Sequence, residues 1–275
     1  QLAPAACPQS AVQRARSREV KAKGAPTTFC LMLVKPVRAE VDLLRVHLCM
    51  DTSLFRCDQH AVYSNVSLRS ALQGTPGADA MHEVVVNQSL DTARGGYWNT
   101  AMNTDLFIAI WLDVFARQLH LGQDWTVKVD ADTAFLPERL PGLLELGRKE
   151  RSSAVYLNSC PWCIIKFIGP IEVFNRASAR ALQRNMQVCR TKVDYHNVSE
   201  DVYLERCFKL LNVTMRNPKG KMRLLSPEFK VPNANVSKCT GNVVTVHPLK
   251  DPALLGQCME RMYAEGGALG PGEAE

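Results

Sequence analysis

Short, continuous apolar runs separated by amphipathic stretches organise this chain, an alternation that predicts strands buried on both faces with helices packed against them. Phe29-Cys30-Leu31-Met32-Leu33-Val34, ended by Lys35-Pro36, reads as the first strand. Val41, Leu43, Leu44, Val46 and Leu48 fit one face of a helix beginning near Glu40, and Ala61-Val62-Tyr63 returns as a strand closed by Ser64-Asn65. A strand-helix-strand opening predicts a parallel sheet. Residues 66–98 carry Gly, Pro, Asn and Asp with little periodicity, so they predict a long, partly irregular excursion holding one short strand at Val84 to Val86. Asn99 to Gln118 then predicts a strong helix, with Leu106, Ile110 and Phe115 at helical spacing.

Further along, Trp125 to Val129 predicts a strand, Leu143 to Arg148 the start of a short helix, and Ala154 to Leu157 and Ile164 to Ile168 two more strands. Helices follow around Ala177 to Met186 and Val202 to Leu211. Short strands near Met222 to Leu225 and Val243 to Val246 precede a terminal helix at Pro252 to Tyr263. The expected fold class is α/β, a single domain with a mostly parallel central sheet flanked by helices and no internal repeat. Its expected limits are 27–265, between a flexible basic stem at 1–26 and a disordered Gly-rich tail at 266–275.

Composition narrows the function classes. At 275 residues and 46% hydrophobic content the chain can bury a large core. Its longest apolar runs fall well short of the roughly 18 residues that cross a bilayer. The net charge of +6 is modest, and five basic residues (Arg14, Arg16, Arg18, Lys21, Lys23) sit in one short run near the start. Nucleic acid is therefore not an expected partner, since it would want a basic face within the folded part. Ten cysteines and five Asn-x-Ser/Thr sequons (Asn65, Asn87, Asn197, Asn212, Asn235) point to an oxidising, glycosylating compartment. The expectation is the lumen of the secretory pathway, with a signal or membrane anchor preceding the stem in the full-length protein. Cysteine pairing is not readable from sequence. Cys160-Pro161-Trp162-Cys163 has redox spacing, but a strand is expected after it, so a structural disulfide or two buried thiols is the better reading. Cys49 and Cys57 read as disulfide partners in preference to metal ligands.

The predicted strand Trp125-Thr126-Val127-Lys128-Val129 ends in Asp130-Ala131-Asp132. Residues two apart in extended chain point the same way, so both carboxylates can aim at one place beyond the strand end. Two such acids repel unless a cation sits between them, and hard ions such as Mg²⁺ or Mn²⁺ take oxygen ligands completed by phosphates. A solvated Asp-x-Asp turn is the competing reading. Three later stretches add to the first. Ile168-Gly169-Pro170-Ile171-Glu172-Val173-Phe174 is an apolar strand interrupted where a backbone without a Cβ can approach a ligand. Ser199-Glu200-Asp201-Val202 puts two acids in the first turn of a helix, as a cap or as catalytic groups. Val243-Val244-Thr245-Val246-His247-Pro248 ends a strand in a histidine, either a satisfied core residue or a ligand suited to Mn²⁺.

In this order the motifs resemble the GT-A glycosyltransferases, most closely the fringe and β-1,3-glycosyltransferase group. The likeness spans 28–250 in layout and the short motifs in identity; Gly169-Pro170 departs from the fuller glycine run of that group. It implies a GT-A, Rossmann-like domain and transfer of a hexose-type sugar from a nucleotide diphosphate donor, UDP-linked, to an acceptor hydroxyl with inversion. The acceptor would be a glycan, glycoprotein or glycolipid, and the place the Golgi. Carried over by residue, Asp130 would lie near the ribose or a metal-bound water. Asp132 would ligate Mn²⁺ (or Mg²⁺), with His247 completing its coordination. Gly169 and Pro170 would border the donor sugar, and Asp201 would be the acid nearest the acceptor, with Glu200 the less favoured base. The rule that ligands sit at the carboxyl ends of strands places the first strand and Asp58 near base and ribose, though Asp58 also reads as a turn residue. Thr100 and Asn103, before the long helix, would approach the diphosphate. Trp98 and Trp125 read as core residues, not sugar platforms. Two other classes stay open: a non-catalytic lumenal sugar-binding relative, and a Mg²⁺-dependent phosphohydrolase of the haloacid dehalogenase type.

Overall fold

The structure, a computed structural model, describes residues 24–97, 99–144, 153–218, 222–227 and 233–266. Most of the stem, nearly all of the Gly-rich tail, the helix expected through Arg148 and the side chain of Trp98 lie outside them.

The chain opens with strand β1 (Thr28–Leu33), helix α1 (Arg38–Met50), strands β2 (Gln59–Ser64) and β3 (Glu83–Val85), and the small hairpin β4 (Arg94–Gly95) and β5 (Thr100–Ala101). Helix α2 (Thr104–Ala116), strands β6 (Trp125–Val129) and β7 (Ala134–Phe135), the single turn α3 (Pro141–Leu144), and strands β8 (Val155–Leu157) and β9 (Ile171–Asn175) follow. Helices α4 (Arg176–Lys192) and α5 (Glu200–Leu210), strands β10 (Thr214–Arg216), β11 (Arg223–Leu225) and β12 (Val243–Val246), and helix α6 (Pro252–Gly266) complete the fold.

Seven strands form the central sheet in the order β10-β8-β9-β6-β1-β2-β3, with β9 antiparallel to both neighbours and every other pairing parallel. Strand alternation explains how it is covered. Cys30, Met32, Val62, Val127 and Val173 face a layer containing Val41, Leu44 and Leu48 of α1. Phe29, Leu31, Ala61, Tyr63 and Phe174 face α2, α4 and α5. Both faces are largely apolar because both are buried, so β1 reads as an unbroken hydrophobic run from Phe29. The fold is α/β, with a mostly parallel sheet between helices.

Three local expectations are corrected. The long helix begins at Thr104, not near Asn99, because 94–101 folds back as a hairpin with Thr100 opposite Gly95 and Asn99 in left-handed backbone (φ 49°). Ile164 to Ile168 is not a strand. The Cys160–Cys163 disulfide closes a tight loop there, Ser159 N donates to Lys166 O at 2.8 Å, and the Lys166 ammonium curls back onto the carbonyls of Pro161 and Cys163. The apolar stretch around Gly169-Pro170 becomes a turn feeding β9.

Four disulfides stand among the described residues: Cys30–Cys57, Cys160–Cys163, Cys189–Cys207 and Cys239–Cys258. They fit a secreted or lumenal protein. No described helix is long and apolar enough to cross a membrane.

Candidate active site

Asp130 follows β6 at its C-terminal end, at the middle of the sheet. A second, three-stranded sheet (β11-β12-β7) brings the distant histidine to it. Strand β7 starts two residues after Asp132 and pairs antiparallel with β12, Val246 opposite Ala134. Leu249 N donates to Asp132 O at 2.7 Å, closing the pairing across the aspartate turn. His247 therefore meets Asp132, with Nε2 3.2 Å from Oδ1. One ligand atom each from Asp130, Asp132 and His247 lie within 4.8 Å of one another, and all three residues are half-buried.

Two carboxylates and one imidazole nitrogen are a donor set suited to Mn²⁺ or another hard-to-borderline divalent cation. Burial pushes the Asp132 carboxyl up, but the His247 imidazole and the charge of Lys250 outweigh it and hold the group below the usual carboxylate range. The Asp132 carboxyl, a candidate ligand, is thus kept ionised.

The turn that presents the acids is fastened from two sides. Asp130 N donates to Pro170 O at 3.4 Å. From α1, the fully buried His47 places Nε2 3.0 Å from the carbonyl of Ala131, which requires a proton on that nitrogen, a condition the neutral ring meets as its Nε2–H tautomer. Desolvation lowers His47 to about 4, so this form persists at neutral pH.

Asp201 reaches the same place from the first turn of α5. Its Oδ2 accepts from Gly169 N at 3.0 Å, and its Oδ1 from Ser199 Oγ at 2.5 Å and Val202 N at 2.8 Å. A Cβ built at Gly169 would lie 3.7 Å from Asp201 Oδ2 and 3.9 Å from Asp130 Oδ2, so the two acids flank one point. Three donors engage a carboxylate with about four lone-pair positions, leaving roughly one acceptor lobe open.

Beneath this surface lies a buried ionic cluster. Lys128 Nζ stands 2.7 Å from Asp130 Oδ1, 2.5 Å from Glu200 Oε1 and 3.9 Å from Glu172 Oε1, and donates to Gly169 O at 2.8 Å. Burial pushes this ammonium down, but Asp130, Glu200 and Glu172 prevail and raise it well above its usual value. Glu172 is pushed well up by burial and by the adjacent Glu200.

The expected residues divide accordingly. Asp130, Asp132, His247, Asp201, Gly169 and Pro170 come together. Glu200 is buried as a counter-ion to Lys128, 2% exposed, and presents no open oxygen to an acceptor. Asn103 sits just before α2 and its side chain accepts from Glu200 N at 3.2 Å, so it joins the two helix starts. Thr100 lies in the hairpin instead of leading directly into a helix. Asp58 is corrected: it precedes β2 at the N-terminal edge of the sheet, where its carboxylate accepts from Thr28 N at 2.7 Å, the edge opposite Asp130. Sequence reasoning passed over Lys128 and His47. A charged residue inside the run Trp-Thr-Val-Lys-Val, on the same strand face as Asp130, was the available signal for Lys128; His47 had none beyond its place in a helix.

No protein-family model matches the sequence, and no curated protein matches it. Among solved structures, a glycosyltransferase involved in the glycosylation of the major capsid of PBCV-1 is similar over 86% of this chain and 100% of its own, at 10% identity and a TM-score of 0.48. The glycosyltransferase GlyE of Streptococcus pneumoniae TIGR4 is similar over 70% of this chain and 46% of its own, at 12% identity and a TM-score of 0.40. Likeness at this level concerns the course of the backbone and assigns no chemistry.

Proposed function

We propose that this chain is a metal-dependent glycosyltransferase, a hexosyltransferase that moves a sugar from a UDP-linked donor to a hydroxyl of a glycan, glycoprotein or glycolipid, with inversion. One observation carries the reading: the neighbouring Asp130 and Asp132 and the distant His247 converge at the C-terminal rim of the sheet with Asp201 facing the same point. Open α/β sheets bind ligands at that rim.

A divalent cation held by Asp132 and His247, with Asp130 alongside, would supply Lewis acidity toward the charge that grows on the departing diphosphate. Asp201 accepts the proton of the acceptor hydroxyl as its oxygen bonds to the anomeric carbon and the bond to the diphosphate breaks. Attack from the side opposite the leaving group inverts that carbon. Gly169 and Pro170 border the donor sugar, and the nucleotide diphosphate is the product released. Residues 27–265 act as one catalytic domain. The four disulfides and the exposed sequon residues Asn87, Asn197, Asn212 and Asn235 support work in the secretory lumen, which we assign to the Golgi, with anchoring through a segment before the stem.

Thermal-shift and calorimetric titration with UDP, with and without Mn²⁺, tests the reading. Stabilisation by UDP that requires Mn²⁺ and disappears in Asp132→Ala is expected. Sugar-dependent stabilisation without any nucleotide effect would instead indicate a binding module, and release of phosphate from simple esters a phosphohydrolase.

A further inference from the structure

We propose that Lys128 is a positioning residue: its buried ammonium fixes Asp130 by one oxygen and, through the Gly169 peptide, locks the metal acids to Asp201. The proposal rests on the reading of Asp130, Asp132 and His247 as a divalent-cation site.

Lys128 is 2% exposed. An ammonium has three protons to donate, and three oxygens lie within hydrogen-bonding distance of Nζ: Asp130 Oδ1 at 2.7 Å, Glu200 Oε1 at 2.5 Å and Gly169 O at 2.8 Å. The Phe107 ring covers it at 4.8 Å from the centroid. The bond to Gly169 O and the ion pairs to Asp130 and Glu200 enclose the buried ammonium, so Lys128 acts through its partners.

Burying such a group costs several kcal/mol, and a well-packed apolar side chain is often at least as stabilising. Packing alone therefore does not explain a lysine here. Its partners do. Engaging Oδ1 leaves Asp130 with Oδ2 as its available oxygen, on the side where Asp201 Oδ2 also lies, around Gly169. The Gly169 residue is gripped at both ends, its carbonyl by Lys128 and its N–H by Asp201 at 3.0 Å. One cation thus sets the orientation of a metal acid and of the proton acceptor together. It also offsets the repulsion between Asp130 and Asp132, so the pair is arranged before a divalent ion arrives.

The test separates anchoring from charge. Lys128→Met alone removes a positive charge, which favours cation binding, and also removes the anchor, which opposes it. The double variant Lys128→Met/Glu200→Gln deletes the buried cation together with a buried partner carboxylate, so the cluster keeps its net charge and the fold its stability. Calorimetry with Mn²⁺ alone on the full chain, beside thermal midpoints, is the measurement. The double variant is expected to melt near the wild-type temperature and bind Mn²⁺ at least about tenfold more weakly, as for loss of a residue that orients a metal ligand. A merely structural lysine would return both quantities together. Wild-type Mn²⁺ affinity in a folded double variant overturns the proposal while leaving the metal site standing. Absence of Mn²⁺ binding in the wild type overturns the metal site and, with it, the role given to Lys128.

Discussion

His247 Nε2 lies 3.2 Å from Asp132 Oδ1, and the contact is set by strand pairing rather than by nearness in sequence. Loss of an outer partner of a metal ligand already weakens metal binding about 10–100-fold. Asp132→Ala and His247→Ala should each lower Mn²⁺ affinity by at least that much, read by calorimetry, with little change in far-UV circular dichroism.

Asp201 holds three donors and keeps about one acceptor lobe open. Under the proposed mechanism, Asp201→Asn removes the proton acceptor while preserving size and most hydrogen bonds. The kcat for sugar transfer should fall about 10²–10⁴-fold, with binding of UDP and Mn²⁺ unchanged. Equal loss of nucleotide affinity would place Asp201 in donor binding instead.

His47 couples the aspartate turn to pH. Its ordinary value of 6.5 applies to the unfolded chain, and burial takes the folded group to about 4. Between these values the unfolded chain binds the extra proton, so this contribution to stability is complete above about pH 6.5 and is lost as pH falls toward 4. The whole effect is on the order of 3 kcal/mol. Urea unfolding of wild type and His47→Gln across pH 4–7 checks it: the variant should show a shallower loss on the acid side.

Arg139 secures the small sheet that delivers His247. Its Nη1 donates to Thr240 O at 2.8 Å and Val243 O at 2.5 Å, and its Nη2 to Met262 O in α6. Charge-assisted bonds contribute roughly 1.5–3 kcal/mol each and are not additive. Arg139→Met should cost about 2–4 kcal/mol in urea unfolding and also weaken Mn²⁺ binding, because β12 carries the histidine.

Much of this arrangement was legible residue by residue. The run Phe29 to Val34 is apolar throughout because the strand is covered on both faces, and α4 and α5 follow their helical period. Asp58 was misplaced for a physical reason. The residues flanking a strand do not say at which edge of the sheet they emerge until strand direction is known. The hairpin at 94–101 is held by backbone pairing across Gly95 and Thr100, and such pairing leaves little trace in hydrophobic periodicity.

By itself, the sequence determined the α/β layering, the pair of acids closing β6, and which residue types were present to bind a cation and accept a proton. These follow from local periodicity and side-chain chemistry. Only the tertiary structure decided that β7 pairs with β12, bringing His247 to Asp132, that Glu200 turns inward to Lys128 while Asp201 faces out, and that Asp58 lies at the far edge. Those outcomes depend on contacts between segments distant along the chain, where burial and strand register select one partner among several of the same chemical type.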